Sequence, residues 1–274
     1  MGEPLALRPL GETGIWISPL GLGTVKLGRN QQVKYPHPFT LPDDRSVIRL
    51  LESARALGIN LLDTAPAYGN SMERLGRLLP GRREEWVIFS KVGESFRDGR
   101  SHFDFSFQHT LESVEKSLRT LRSDYLDGVV IHSDGNDCAL FDPSRAGVVA
   151  ALQELKQRGL IRSHGLSGKS VAGGLLALEQ LDWVMVTCNL HYNDELEVLQ
   201  QAQRRNQGVL IKKALASGHL GSADAPQQRI AEALRFVYAQ PAVSSILIGT
   251  INPQHLRDNV AILQQIIAQQ GCPS

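Results

Sequence analysis

Short runs rich in β-branched residues alternate with stretches of helical period eight times along this chain, and that alternation constrains its fold more than any other feature. Val87-Ile88-Phe89, Val129-Val130-Ile131, Val184-Met185-Val186, Val209-Leu210-Ile211 and Ile246-Leu247-Ile248 are apolar at consecutive positions. Strands buried on both faces of a parallel sheet have this look. Weaker runs of the same kind cover residues 20–23, 60–63 and 161–166. Between the runs, Val47, Leu50, Leu51, Ala54 and Leu57 fall on one helical face, with Gly58 as the stop. Phe107, Leu111, Val114, Leu118 and Leu121 repeat the pattern, as do Leu152 and Leu155 before Gly159, and Leu256, Val260, Leu263 and Ile267 near the end.

Eight strand-plus-helix units in 274 residues, with no Pro/Gly/Ser-rich linker, predict a single (β/α)8 barrel domain over residues 1–274. The rival of equal length, a doubly wound sheet, lacks its phosphate-binding signal. Gly21-Leu22-Gly23 has Lys26 where a dinucleotide fingerprint needs its third glycine. Gly168-Lys169-Ser170 imitates the end of a P-loop, but the position that should open the loop is Ser163. Residues 5–19 read as a β-hairpin turning at Gly11-Glu12-Thr13-Gly14 and capping the bottom of the barrel.

Composition removes several function classes. Lys and Arg number 29 against 28 Asp and Glu, a formal net charge of +1, so the basic footprint of a nucleic-acid binder is missing. No apolar run reaches a membrane-spanning length, and MGEPLALRPL lacks the basic start and apolar core of a signal peptide. Ala6 stands where a myristoylation signal needs Ser or Thr. Cys138, Cys188 and Cys272 have neither CxxC spacing nor an even count, which argues for a reducing, cytoplasmic location. The histidines show no HExxH or paired spacing, so no metal is expected, and no GxSxG elbow occurs.

Barrel chemistry sits where strands end and βα loops begin. Asp63, Lys91 and His132 end the second, third and fourth strands, and Tyr68 lies in the loop after Asp63. A phenol is a poor acid at neutral pH unless a cation lies beside it. Lys91 can supply that charge, Asp63 can hold the ammonium, and His132 can orient a carbonyl oxygen. The set suits protonation of an oxygen on which negative charge develops. A strand-end Asp is often only a helix cap, a lone His a structural residue, and Tyr68 a rim aromatic; the coincidence at three consecutive strands carries the reading.

At these residues the chain resembles the aldo-keto reductases. The stretch from Asn60-Leu61-Leu62-Asp63 to Tyr68-Gly69-Asn70-Ser71 is similar to the family's second-strand signature. Phe89-Ser90-Lys91-Val92 resembles its lysine strand, and Asp124-Tyr125-Leu126-Asp127 through Ile131-His132-Ser133 its histidine strand. Residues 155–167 are similar to its fifth-strand motif, and Ile248-Gly249-Thr250 through Asn259 to its last loop and helix. The resemblance runs from about residue 7 to residue 259.

That resemblance implies a nicotinamide-dependent reductase of aldehydes or ketones. Tyr68 would be the general acid, with Asp63, Lys91 and His132 its partners. Ser167 and Asn189 would hold the nicotinamide carboxamide, Asn189 replacing the usual glutamine. Gly168 stands where the family commonly has asparagine. Lys212 occupies the seventh-strand place of a stacking aromatic and is expected on the cofactor, at the pyrophosphate. Gly249 and His255 fall where NADPH-preferring members often carry Lys and Arg; Thr250, the helix beginning near Asn252, Asn259 and Arg257 remain nearby. The expected cofactor is therefore NADPH, with NADH also accepted and the preference smaller than family habit. The alternative is an NADPH-binding regulatory subunit resembling potassium-channel β subunits, which a stable complex with a larger protein would mark. The expected partner is a small-molecule carbonyl substrate in an open pocket walled by residues 29–43, with a monomer expected over an oligomer.

Overall fold

Alternation of inward and outward side chains along eight parallel strands builds the protein, whose computed structural model describes residues 4–222 and 225–270. The strands are β1 (Leu20–Gly23), β2 (Leu61–Asp63), β3 (Val87–Val92), β4 (Gly128–His132), β5 (His164–Ser167), β6 (Trp183–Thr187), β7 (Gly208–Lys212) and β8 (Val243–Ile248). They close in chain order, β8 pairing with β1 and β5 with β6. A helix follows each strand: α1 (Asp44–Ala56), α2 (Ser71–Leu78), α3 (Phe107–Leu121), α4 (Val148–Gln157), α5 (Val171–Gln180), α6 (Leu196–Arg204), α7 (Pro226–Tyr238) and α8 (Pro253–Gln270). This is the (β/α)8 barrel that the alternation predicts.

Helix starts follow local chemistry. Asp43 caps α1 by accepting from Ser46 N at 2.7 Å, Ser106 caps α3 from His109 N, and Ser170 caps α5 from Gly173 N. The P-loop imitation is thus a helix start. In α1 the residues Val47, Leu50, Leu51 and Ala54 are buried, the face that the period predicts.

Two apolar sets divide the core. Ile88, Val129, Ile131, Val184, Val186, Val209 and Ile211 point outward to the helices. Leu61, Val87, Phe89, Val130, Trp183, Met185 and Leu210 fill the barrel, where Phe89 and Trp183 stack at 4.8 Å between ring centroids. The N-terminal hairpin (Arg8–Pro9 with Trp16–Ile17) adds Leu10, Ile15 and Ile17 to that interior and closes its bottom. Its fit depends on Gly208, since a Cβ there would lie 3.0 Å from Gly11 N and crowd Leu10.

Two local departures matter. The fifth strand begins at His164 rather than at residue 161, because Ile161 makes only an isolated bridge to Leu126. Ser163 instead donates its hydroxyl to Asp127 O at 2.7 Å and accepts from Trp183 Nε1 at 3.1 Å. An unanticipated antiparallel hairpin (Glu94–Arg97 with Arg100–Phe103) rises from the end of β3. Asp98 and Gly99, both at positive φ, make its turn. Among the described residues no helix is long and apolar enough to cross a membrane.

Candidate active site

The period of two that fills the barrel also decides which side chains meet at its upper mouth. Two residues beyond inward Leu61, Phe89, Val130, Gly165 and Leu210 stand Asp63, Lys91, His132, Ser167 and Lys212. Strand register staggers these ends around the mouth: Asp63 pairs with Gly23 on one side and Phe89 on the other, Lys91 with Val130, His132 with Ser167 and Lys212 with Thr187. Gly23 and Gly249 bring backbone alone to the same layer, leaving a cavity of about 470 Å³ lined by these residues and by Tyr68.

Lys91 and Asp63 are 2% and 5% exposed and form an ion pair; Lys91 Nζ also donates to Thr64 O at 3.1 Å. Burial pushes the Lys91 ammonium below its ordinary pKa, and the Asp63 carboxylate works against that shift. Lys91 Nζ lies 4.8 Å from the centroid of the Tyr68 ring. Tyr68 is held well above its ordinary pKa, first by burial and then by the Asp63 and Glu94 carboxylates; the nearby cation that opposes this is Arg29. Lys91 is paired with Asp63, and burial with the two carboxylates favours the neutral phenol of Tyr68.

His132 has a partner that the sequence reading lacked. Glu94, on the inserted hairpin, places Oε2 2.6 Å from His132 Nδ1, in a bent contact. Glu94 Oε1 accepts from Ser101 Oγ at 2.6 Å and lies 3.9 Å from the Arg29 guanidinium. Although burial opposes it, the contacts with His132, Ser101 and Arg29 bring the carboxyl down to about 2. The Asp98-Gly99 dipeptide was the available signal for this hairpin; nothing local in sequence signals that Glu94 faces His132.

Lys212 enters the mouth from β7 and donates to Ser167 Oγ at 2.9 Å and Gly168 O at 2.6 Å. Burial pushes its ammonium down to about 8. Asn189 lies just beyond β6 and does not line the mouth: its Nδ2 donates to Lys213 O at 3.1 Å and its Oδ1 accepts from His191 N at 2.9 Å. A second groove, about 510 Å³, adjoins the mouth across Gly249 and Tyr35 and is lined by Thr250, His255 and Asn259. Tyr35, His37 and Phe39 wall it, and Lys26 Nζ sits 3.8 Å over the Tyr35 ring. Arg257 points elsewhere, bonding Gln254 Oε1 at 2.8 Å. No group of three or more metal-ligating side chains occurs among the described residues.

Asp63, Lys91, His132 and Tyr68 thus gather at the C-terminal mouth of a closed parallel barrel. The sequence profile of the Aldo/keto reductase family matches residues 19–232, and the chain belongs to that family of oxidoreductases, which use nicotinamide cofactors on small-molecule carbonyl substrates. An L-galactose dehydrogenase of Arabidopsis thaliana is 27% identical over 96% of this chain and 89% of its own. An NADH-specific methylglyoxal reductase of Escherichia coli is 35% identical over 57% of this chain and 50% of its own. A solved structure from Pseudomonas aeruginosa, assigned by name to the aldo-keto reductases, is 50% identical, covers 95% of this chain and 96% of its own, and superposes with a TM-score of 0.86.

Proposed function

We propose that the protein reduces an aldehyde or ketone to an alcohol at the β2–β3–β4 mouth, with Tyr68 as the general acid and NADPH or NADH as hydride donor. The observation that carries this is the convergence of Tyr68 with the buried Lys91–Asp63 pair and His132 in one cavity. When bound, the nicotinamide cofactor supplies the hydride to the carbonyl carbon.

The chain's own residues do the rest. His132 orients the carbonyl oxygen toward the Tyr68 hydroxyl. Tyr68, kept neutral by burial and by two carboxylates, gives its proton as the oxygen becomes alkoxide-like. Lys91, pinned by Asp63, offsets the phenolate charge left behind. Met185 and Leu247 add apolar lining to the mouth, and this helps exclude water from the reacting atoms.

The residues fit a dinucleotide. The mouth and the adjoining groove share Gly249, where a Cβ would lie 2.9 Å from Tyr35 Oη, so close backbone approach is needed at the join. Arg29, Lys34, Lys169, Lys212 and Lys213 line the mouth beside the paired Lys91, against the acids Asp63 and Glu94, and this balance suits a pyrophosphate. Ser167 would donate to the carboxamide. Asn189 would reach it only after exchanging its bond to Lys213 O. Thr250, His255, Asn259 and the start of α8 would hold the adenosine end. With Arg257 turned away and Asp258 in the lining, a 2′-phosphate gains little there, so the NADPH and NADH dissociation constants should agree within about tenfold, or 1.4 kcal/mol.

The decisive experiment is NADPH oxidation with a reactive aromatic aldehyde, wild type against Tyr68→Phe. A loss of at least about a hundredfold supports the assignment; an unchanged rate removes Tyr68 as the acid. NADPH binding without turnover of any aldehyde would favour the regulatory-subunit alternative.

A further inference from the structure

The reading of His132 as the group that orients the carbonyl leaves open what sets its proton. His132 lies below its ordinary pKa because three influences push the imidazole toward its neutral form: burial first, then the charges of Lys91 on β3 and Lys212 on β7. One opposes them, the Glu94 carboxylate on the inserted hairpin. His132 Nδ1 is itself buried, while about a quarter of the side chain stays open to the mouth, so the edge carrying Nε2 is the part a ligand can reach.

Glu94 is built in rather than incidental. Its side chain is only 10% exposed, although the hairpin that carries it is mostly solvent-facing. Gly93, at φ +97, turns the chain out of β3 into the hairpin, and the Phe105 ring fills the space a side chain there would need. The Arg29 guanidinium stacks 3.5 Å over Phe96 on the same hairpin and donates to Ala67 O at 3.1 Å, next to Tyr68. Ser101 and Arg29 thus fix one carboxylate oxygen, and the other is left against His132.

We propose that Glu94 is a positioning residue for the mouth: it holds one proton on His132 Nδ1 and opposes loss of the second, so that the imidazolium, and with it the Nε2–H offered to the oxygen of a carbonyl substrate, persists to higher pH than it would without that carboxylate. The groups facing this pair are Arg29 and Tyr68 on the loops after β1 and β2, Asp63 on β2, Lys91 on β3 and Lys212 on β7, with Glu195 at the start of α6 acting on Lys212. Of the three carboxylates, Asp63 is committed to Lys91 and Glu195 accepts from Thr187 N at 2.6 Å; only Glu94 touches the imidazole. Loss of its charge leaves burial and two lysines unopposed, so the imidazole releases its proton at lower pH. Carbonyl reduction would then lose its oriented donor at a lower pH as well.

The inference rests on the reductase reading, but its test does not need turnover. Imidazole nitrogen NMR of the full chain, with the His132 signal identified by its absence in His132→Gln, gives the titration midpoint in wild type, Glu94→Gln and Glu94→Asp. The expected result is a midpoint at least one pH unit lower in Glu94→Gln, and a smaller drop in Glu94→Asp, whose shorter side chain keeps the charge but withdraws it. The limb of the kcat/KM profile that reports His132 should move the same way, with NADPH affinity changed less than twofold. A hairpin that served only structure would lower kcat/KM uniformly and leave the midpoint in place. Coincident midpoints in wild type and either variant overturn the proposal; if Glu94→Gln does not fold, Glu94→Asp decides it. A chain that shifts its midpoint as expected yet reduces no carbonyl would defeat the reductase reading and leave the pair intact.

Discussion

The lower and upper ends of the same eight strands make opposite use of one geometry. Below, Leu61, Phe89, Val130, Trp183 and Leu210 interlock with the hairpin residues Leu10, Ile15 and Ile17 in an interior without charge. Two residues beyond Leu61, Phe89, Val130 and Leu210, the inward positions hold Asp63, Lys91, His132 and Lys212, with ammonium and carboxylate groups largely kept out of water. The lower layer gains from every apolar atom it buries. The upper layer bears desolvation costs that its ion pairs only partly offset. A barrel can carry a strained, charged mouth because the layer beneath is packed well enough to support it.

That contrast can be broken first from below. Phe89→Ala removes a fully buried ring and its stack on Trp183, and should cost about 3–5 kcal/mol, read by denaturant unfolding. Turnover per folded molecule should change far less than stability. From above, Lys91→Met leaves Asp63 buried without its partner and should cost about 3 kcal/mol as well as turnover. The double variant Asp63→Leu with Lys91→Met sharpens the comparison. It should regain most of that stability, or exceed the wild type, while remaining inactive; a double variant as unstable as the single would show that the upper layer is structural.

The pH dependence of stability separates the layers next. The Glu94 carboxyl titrates at about 2 in the folded protein and near its ordinary value of 4.5 when unfolded. Its depressed pKa contributes stability that is fully present above pH 4.5 and lost as pH falls toward 2, at most about 2–3 kcal/mol. Glu94→Gln should flatten the acid limb of the unfolding curve, and an unaltered limb would contradict this. Lys212 acts at the other end of the pH range, where burial disfavours its charged form and Glu195 offsets part of that cost. Its folded pKa of about 8 lies below the ordinary 10.5, so between these values the unfolded chain binds more protons and stability rises with pH. Lys212→Met should remove that rise and weaken cofactor binding. Thermal unfolding from pH 7 to 10.5 checks the first effect, and a coenzyme titration the second.

Much of the upper layer was legible because strand period is local. Once Val87 and Phe89 are inward, Lys91 must be, and the same count places Asp63, His132 and Lys212. The Asp98-Gly99 turn was also legible in principle, though its cluster of charged neighbours hides the hairpin from an apolar-run search. What Asn189 and Arg257 touch was not. Asn189 lies at a position that the family resemblance marks and Arg257 close to one, yet the first side chain bonds the Lys213 carbonyl just after β7 and the second a neighbour on its own helix.

Sequence alone therefore determined the eight-unit barrel, the hairpin plug and the inward address of Asp63, Lys91, His132 and Lys212. All of these follow from periodicities of two and 3.6 residues and from turn chemistry within a few positions. Only the tertiary structure decided that Glu94 meets His132, that Lys212 bonds Ser167, and that Lys91 pairs with Asp63 while its Nζ lies 4.8 Å from the Tyr68 ring. Those outcomes depend on distances between elements that are remote in sequence, where burial and the nearest charge, rather than local propensity, choose each partner.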